Sequence, residues 1–371
     1  MTKIRHFFGN QILTLCFTAF LGVAFTGCSG TADNALYLVI LGDSLSVGTQ
    51  PDAGGTNMTT DRGYGDVLYQ MLLPRYPNLQ LVKLGCLNDP GETTLTFIEG
   101  GSCDYPEGSQ LDAAKNFLLE HGENTILTTI DMGVNDLLQS GCIDTGPPLN
   151  VDAACVEDFL KNVLPSRLSF IMSELFQVQA ETGVPIFGLN YYNPFVVVYF
   201  SVYQVVAQGI KDAILNDPAI IGPIQTQCTS FCTMVQPCTP FSACVPTCVQ
   251  ECVTTAVGDI IAQQAPQKTV DIVVDLGIDD LAQAFNFQVL QGVYDLFEFP
   301  VVDIYSAFNA GDFTLAPAPA QFAPITMAPV NALSACALTF MCPDQNIHAS
   351  DQGYQVMAQA VFDLFNTVFP P

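Results

Sequence analysis

The sequence is poor in positive charge and lacks tryptophan. Only 10 Lys and Arg residues stand against 36 Asp and Glu residues, which gives a formal net charge of −26. A surface of this sign repels nucleic-acid phosphates and anionic lipid headgroups, which argues against both as partners. The absence of Trp disfavours the open aromatic subsites that a carbohydrate would require. With 49% hydrophobic and 12% charged residues over 371 positions, the chain can bury a large core.

Histidine is also scarce, and this limits the choice of a catalytic base. The three histidines are His6, His121 and His348. His121 precedes Gly122 at the end of a helical stretch, where the helix dipole favours a cation, so we predict a structural role for it. His348 lies in a loop and is the candidate general base. Asp344, four residues earlier, is near enough to orient its ring.

The first residues have the composition of an export signal. Lys3 and Arg5 precede an apolar run over residues 12–25, which is shorter than a membrane span. We therefore interpret residues 1–27 as a signal peptide that is removed.

Cys28 follows small residues, in a pattern typical of a bacterial lipobox. This predicts cleavage before Cys28, its lipidation, and a short tether over residues 28–34. Acyl chains on Cys28 would anchor the protein in the cell envelope, and Ser29 favours the outer membrane. The alternative is an ordinary signal peptide that leaves Cys28 unmodified.

The chain has 14 cysteines, and an even number remains without Cys16 and Cys28. In an oxidising compartment these should form disulfides. Six lie between residues 228 and 252, and two C-x₃-C pairs among them would each share one helix face. A metal cluster is the alternative there, but the segment has no His. The predicted pairs are Cys86–Cys103, Cys142–Cys155, Cys336–Cys342, Cys228–Cys252, Cys232–Cys248 and Cys238–Cys244.

Apolar runs alternate with helical stretches along most of the chain. Each run is typical of a strand buried on both faces, and the alternation predicts a parallel sheet covered by helices. The polar clusters follow strands, so they should gather at one sheet edge. The predicted strands are 36–41, 79–84, 125–130, 184–189 and 299–305, and the helical stretches include 65–73, 112–121, 156–182 and 278–298.

The first strand leads into Gly42-Asp43-Ser44. Gly42 permits a sharp turn that would place Ser44 at the carboxyl end of the strand, where a nucleophile is useful. The alternative is that Ser44 only caps the next helix.

Four blocks in this order resemble the SGNH (GDSL) hydrolase family. They are Gly42-Asp43-Ser44-Leu45-Ser46, Gly91-Glu92-Thr93-Thr94, Gly133-Val134-Asn135-Asp136, and His348 with Gly353-Tyr354 behind it. The resemblance covers roughly residues 36–360 apart from an insertion over residues 195–267. It implies a three-layer α/β/α sandwich with a five-stranded parallel sheet of flavodoxin type, as one domain over residues 35–371.

The resemblance also implies a role for each matching residue. Ser44 would be the nucleophile, His348 the base and Asp344 its orienting acid. Gly91, Asn135 and the Ser44 N–H would form the oxyanion hole. Two departures are visible: the family's acid usually precedes the His by three residues, and Asn88-Asp89 leaves Gly85 as an alternative to Gly91.

The implied activity is hydrolysis of acyl esters, lipid or short-chain, with no metal or cofactor. The alternatives are a carbohydrate O-acetyl esterase and a surface lipoprotein that binds without catalysis. The insertion over residues 195–267 begins with a long apolar stretch followed by the cysteines. It reads as a buried helix, with a membrane span or a lid as alternatives. The sequence leaves the oligomeric state open.

Overall fold

A computed structural model describes residues 35–144, 150–235 and 241–371, within one compact unit that spans Ala35–Pro371. The predicted signal peptide over residues 1–27, the tether over residues 28–34 with Cys28, and the pair Cys238–Cys244 lie outside the described residues.

Five parallel strands form the central sheet. Their spatial order is β2-β1-β3-β4-β5, which is the doubly wound order of flavodoxin-type sheets. The predicted α/β fold with a five-stranded parallel sheet is confirmed. The strands are β1 (Leu36–Gly42), β2 (Leu79–Gly85), β3 (Thr125–Asp131), β4 (Ile186–Leu189) and β5 (Val301–Val302).

The fifth strand is much shorter than predicted. The sequence predicts a strand over residues 299–305, but β5 holds only two residues. Pro300 lacks the N–H that a longer ladder would need. Asp303 then begins a helix, because its side chain accepts the Ser306 N–H at 3.0 Å.

Fifteen α-helices are described, some of them continued by π-helical turns at Phe159–Val163 and Ala284–Leu290. They are α1 (Tyr64–Leu72), α2 (Thr94–Glu99), α3 (Gln110–His121), α4 (Val134–Leu138), α5 (Ala153–Asp158), α6 (Leu164–Thr182), α7 (Val198–Asn216), α8 (Pro218–Val235), α9 (Phe241–Asp275), α10 (Ile278–Gln283), α11 (Gln291–Leu296), α12 (Ile304–Ala307), α13 (Val330–Leu338), α14 (Met341–Asp344) and α15 (Asp351–Val368).

Helices cover both faces of the sheet. Residues of opposite parity in a strand point to opposite faces. In β1, Ile40 lies against Gly65 of α1, whereas the ring of Tyr37 lies 5.3 Å from that of Phe117 in α3. Because residues 37 and 40 differ in parity, α1 and α3 lie on opposite faces. This explains why residues 38–41 of β1 are fully buried.

The segment predicted as an insertion forms three long helices, α7, α8 and α9. Helix α9 runs to Asp275, beyond the predicted boundary at residue 267. The buried residues of these helices pack with residues 325–332 into an apolar cluster separate from the main core. In the described part of the chain, no helix is long and apolar enough to cross a membrane.

Five disulfides are present among the described residues, and each was predicted. Two of them join α8 to α9 in the nested arrangement expected from the C-x₃-C spacings. The five bonds are Cys86–Cys103, Cys142–Cys155, Cys228–Cys252, Cys232–Cys248 and Cys336–Cys342.

Candidate active site

The candidate site lies at the carboxyl edge of the sheet. Ser44 follows the end of β1 by two residues, and Asn135 lies in α4, directly after β3. His348 comes from the loop between α14 and α15, far away in sequence. The parallel strands thus bring separate turns to one edge, as the strand pattern predicts.

Ser44 and His348 are in direct contact. The Ser44 Oγ and the His348 Nε2 are 2.9 Å apart, a hydrogen-bond distance. His348 is only 7% exposed, and this burial lowers its pKa to about 4. The imidazole is therefore neutral at pH 7 and is able to accept a proton from Ser44.

Asn346 orients the imidazole of His348. Its Oδ1 accepts the His348 backbone N–H at 3.0 Å and lies 2.7 Å from the ring Nδ1. Its Nδ2 donates to the Oδ1 of Asn57 at 2.7 Å. Because the backbone N–H requires an acceptor, the amide oxygen must face the ring. Nδ1 then carries the proton and Nε2 is left with the lone pair that faces Ser44.

Asp344 does not lie at the ring nitrogen that it was predicted to bind. It is exposed at the end of α14, and the ring nitrogen that it was expected to bind is bonded to Asn346 instead. Gln345 has a left-handed backbone, φ 53°, and turns the chain between Asp344 and Asn346. In the structure, the residue in contact with the ring Nδ1 is therefore Asn346 and not Asp344.

The sequence contains a signal for Asn346 that the family pattern obscures. An Asn side chain commonly accepts the N–H of the residue two positions later, as an Asx turn. Asn346-Ile347-His348 has this spacing, so that the Asn oxygen is placed beside the His. The family pattern places an acid before the His, and Asn346 does not fit that pattern because its side chain is neutral.

Buried side chains hold the turn that carries Ser44. The Asp43 carboxylate accepts the Leu45 N–H and the Tyr191 hydroxyl, each at 2.9 Å. The Asp43 N–H donates to Asp131 Oδ1 at 3.0 Å. Burial raises the pKa of Asp43 to about 6 and that of Asp131 well above its usual range.

Gly42 makes this close approach possible. Its φ is 134°, and a Cβ at this position would lie 1.8 Å from the Asp131 Oδ1. Any side chain here would displace the turn that carries Ser44.

The sequence predicts three donors to an oxyanion, which are the N–H groups of Ser44 and Gly91 and the side-chain amide of Asn135. The backbone N–H groups of Ser44 and Gly91 have no acceptor among the described residues. The Asn135 Nδ2 donates one hydrogen to the Glu92 carbonyl at 3.0 Å, which leaves its second hydrogen free. Gly91 lies against this amide, since a Cβ on it would be 2.8 Å from the Asn135 Cγ. The structure thus brings Gly91 and Asn135 together, and Asn135 lines the same cavity as Ser44.

Asp136 fixes the Gly91 turn against α4. Its carboxylate accepts the Thr94 N–H at 2.7 Å and the Thr94 hydroxyl at 2.5 Å. Arg167 lies 3.4 Å from the same carboxylate and compensates its buried charge. The second and third sequence blocks are therefore bound to each other through Thr94 and Asp136.

A cavity of about 1030 Å³ opens beside Ser44, Asn135 and His348. Two helical segments supply much of its other lining. The first wall is residues 153–169, and the second wall is residues 276–296. Among the described residues of the segment 195–267, only Phe195 lines the cavity, so this segment does not supply the lid that was considered for it.

No group of three His, Cys, Asp or Glu side chains in the described part of the chain is arranged to hold a metal ion. Each of the ten cysteines in the five disulfides is bonded to another cysteine, so none of these ten has a free thiol to bind a metal ion.

The sequence matches no protein-family model and no curated protein sequence. Among solved structures, it is similar to LAE5, an alpha/beta hydrolase enzyme from the metagenome of Lake Arreo, Spain. That similarity has 15% identity and a TM-score of 0.39, and it covers 90% of this chain and 96% of the other. It is also similar to an extracellular lipase from Streptomyces rimosus, with 12% identity and a TM-score of 0.44 over 89% of this chain and 99% of the other. With TM-scores below 0.5, neither similarity identifies the reaction of this chain.

Proposed function

We propose that this chain is a serine hydrolase of the SGNH type that cleaves carboxylic acyl esters. The observation that carries the proposal is the 2.9 Å contact between Ser44 Oγ and His348 Nε2 at the wall of a cavity. A buried, neutral imidazole in the correct tautomer beside a hydroxyl is the arrangement that activates a serine.

The first half of the reaction acylates Ser44. Its Oγ attacks the ester carbonyl carbon while His348 Nε2 takes the hydroxyl proton. The carbonyl oxygen becomes an oxyanion, which accepts hydrogen bonds from the Ser44 N–H, the Gly91 N–H and the Asn135 amide. When the ester C–O bond breaks, His348 returns the proton to the departing alcohol.

The second half releases the acid. His348 takes a proton from water as the water oxygen attacks the acyl carbon. The same three donors stabilise the second oxyanion. The bond to Ser44 Oγ then breaks, and the proton on His348 returns to Ser44. No redox partner is needed in either half.

Turnover of p-nitrophenyl esters by the full oxidised chain tests the proposal, together with labelling by a fluorophosphonate. We expect one phosphonyl group per chain, on the peptide that contains Ser44, and loss of turnover in proportion to labelling. A folded chain that neither turns over any ester nor reacts at Ser44 would support the non-catalytic alternative.

The burial of His348 predicts that its imidazole stays neutral in mild acid. His348 must be neutral to act as a base, and its pKa is lowered to about 4. Protonation of His348 should therefore lower kcat/KM only near pH 4, and a fall near pH 6 would instead report protonation of Asp43, whose pKa is about 6. We expect Asn346→Asp to place a carboxylate at the ring and raise the pKa of His348. In this variant, the fall of kcat/KM at acid pH should therefore occur about 1 pH unit or more higher than in the wild-type protein.

The variants Asn346→Ala and Asp344→Asn separate the two candidate orienting residues. We expect Asn346→Ala to lower kcat roughly 10²-fold, because general base catalysis needs a fixed ring. Asp344→Asn, at an exposed position, should change kcat less than about twofold. The opposite ranking would return the orienting role to Asp344.

We also propose that the protein is exported and anchored through lipidated Cys28 in the outer membrane. Disulfides of the number seen here are typical of an oxidising compartment. Mass spectrometry of the protein from the producing cells should find an N-terminal acylated Cys28 and no residue of the range 1–27. A mature chain that contains an unmodified Cys28, or one that begins after Cys28, would contradict the anchor.

A further inference from the structure

The cavity beside Ser44 is larger than an acetyl or butyryl group requires. Its volume of about 1030 Å³ is at the upper end of the range for binding sites of small organic molecules. Among its polar groups, Ser44 and Asn135 follow strand ends, and His348 comes from the loop between α14 and α15. Much of the remaining surface comes from the first and second walls.

Both walls are predominantly apolar. The first wall contributes Val156 and Leu160, and the second wall contributes Phe285 and Val289, all of which are at least 90% buried in the protein. Each wall contains a π-helical turn, a feature that is frequent at functional sites. Such a surface binds hydrocarbon by removing it from water.

The apolar surface continues to the outside. Leu276 and Leu296 line the cavity, yet their side chains are 53% and 74% exposed to solvent. Exposed leucines at a cavity rim are typical of a surface that receives an apolar ligand. A sugar ring with many hydroxyls would find few partners there.

Charged residues at the cavity are predominantly acidic. Glu157 and Asp280 line it together with Lys161, and Lys161 is already paired with Glu157. The chain as a whole has a net charge of −26. An anionic headgroup would be repelled, whereas an uncharged alcohol group would not.

The walls are attached to the catalytic turns by polar contacts and a disulfide. Asn286 of the second wall accepts the Tyr191 N–H at 2.9 Å and donates to the Tyr191 carbonyl at 2.7 Å. Tyr191 in turn binds Asp43, next to Ser44. The bond Cys142–Cys155 joins the first wall to the segment that follows α4. The cavity is therefore built into the same framework as Ser44.

We infer that this cavity binds the acyl chain of an uncharged ester of a fatty acid at least as long as decanoate. The inference rests on the proposed function, because it assigns the substrate of that same site. The ester carbonyl would lie at Ser44 and the chain between the two walls.

The length dependence of ester hydrolysis tests the inference in the wild-type chain. We expect kcat/KM for monomeric p-nitrophenyl esters to rise from acetate through butyrate to decanoate. The uncharged decanamide should inhibit butyrate hydrolysis competitively, and butyramide should not do so at the same concentration. Both measurements use the wild-type chain, so their outcome does not depend on whether a variant folds.

Gly292 of α11 offers a variant that fills the cavity. It lines the cavity, and a Cβ built on it meets no atom within 4 Å. Gly292→Leu should favour the helix and place a side chain where the acyl chain would lie. Gly209 in α7 is a control, since it is also helical and a Cβ built on it also meets no atom within 4 Å, but it is not part of the cavity lining.

We expect Gly292→Leu to lower the ratio of kcat/KM for decanoate over butyrate about tenfold or more. Gly209→Leu should leave this ratio unchanged. We also expect monodecanoylglycerol to be cleaved at least about tenfold faster than decanoyl lysophosphatidylglycerol, because only the second is anionic.

The outcomes separate this inference from the proposed function. If the wild-type chain cleaves no ester at all, the proposed function fails. If it prefers acetate or butyrate, or if Gly292→Leu folds and keeps the wild-type ratio, the function stands and the acyl site is wrong. Equal rates on the neutral and anionic lipids would overturn the preference for an uncharged alcohol.

Discussion

Replacing Ser44 by alanine is expected to lower kcat for ester hydrolysis by about 10⁴-fold or more, with little change in KM. The hydroxyl is the group that forms the covalent bond, and its loss typically removes most of the rate of a serine hydrolase. The remaining cavity still binds the substrate, so that KM should be close to the wild-type value.

The side chain of Ser44 contributes little to the fold. Within the part of the chain that the structure describes, its hydroxyl is hydrogen-bonded only to His348, whereas the turn itself is held by Asp43. We therefore expect Ser44→Ala to melt within a few degrees of the wild-type protein. Ser201→Ala, at an exposed position of α7, is the matched control and should retain full turnover.

The measurement is steady-state turnover of p-nitrophenyl butyrate with freshly purified variants, after phosphonate labelling has excluded contaminating hydrolases. Retention of more than about a hundredth of the wild-type kcat by folded Ser44→Ala would show that another nucleophile, or water activated directly by His348, performs the reaction.

The strands of the sheet could be predicted because each one is marked by its own short run of apolar residues. Residues 38–41 are buried on both sides of the sheet, and this burial produces the continuous apolar run in the sequence. The nested bridges between α8 and α9 were predictable for a similar reason. Two cysteines four positions apart share one face of a helix, so the spacing itself limits the pairing.

The contact between Ser44 and His348 was predictable by elimination rather than by pattern. With three histidines in the chain, few residues were able to serve as a base. The orienting residue was not predictable in this way. Asp344 and Asn346 are both close to His348 in sequence, and the path of the loop at Gln345 decides which of them reaches the ring.

The walls of the cavity were missed for a different reason. Residues 153–169 and 276–296 read as ordinary amphipathic helices, and the sequence pattern does not show whether an apolar face meets the core or an empty space. The apolar stretch after residue 195 was predicted to be a buried helix, with a lid or a membrane span as alternatives. In the structure that stretch packs in a cluster with residues 325–332, so its apolar residues are explained by burial.

Replacing Asn135 by alanine is expected to lower kcat about 10²–10³-fold, because it removes one of three donors to the oxyanion. KM should change little, since the amide interacts with charge that develops only in the transition state. The variant also leaves the buried Glu92 carbonyl without its donor, which should cost about 1 kcal/mol of unfolding free energy.

Asn162→Ala is the control for this effect. Asn162 also donates through its side-chain amide to a neighbouring residue, Asp158, but it does so at an exposed position. We expect wild-type kcat from it. In Asn135→Asp the carboxylate would repel the oxyanion, so this variant should be at least as slow as Asn135→Ala.

The comparison of kcat with KM distinguishes two explanations. If Asn135→Ala mainly raises KM, the amide holds the ground-state ester and the oxyanion depends on the backbone N–H groups of Ser44 and Gly91 alone. In Gly91→Ala, the added Cβ would press on the Asn135 amide. If this variant then lowers kcat, the fall would arise from displacement of the Gly91 backbone N–H rather than from the amide. A fall in kcat for both variants is the result that three cooperating donors require.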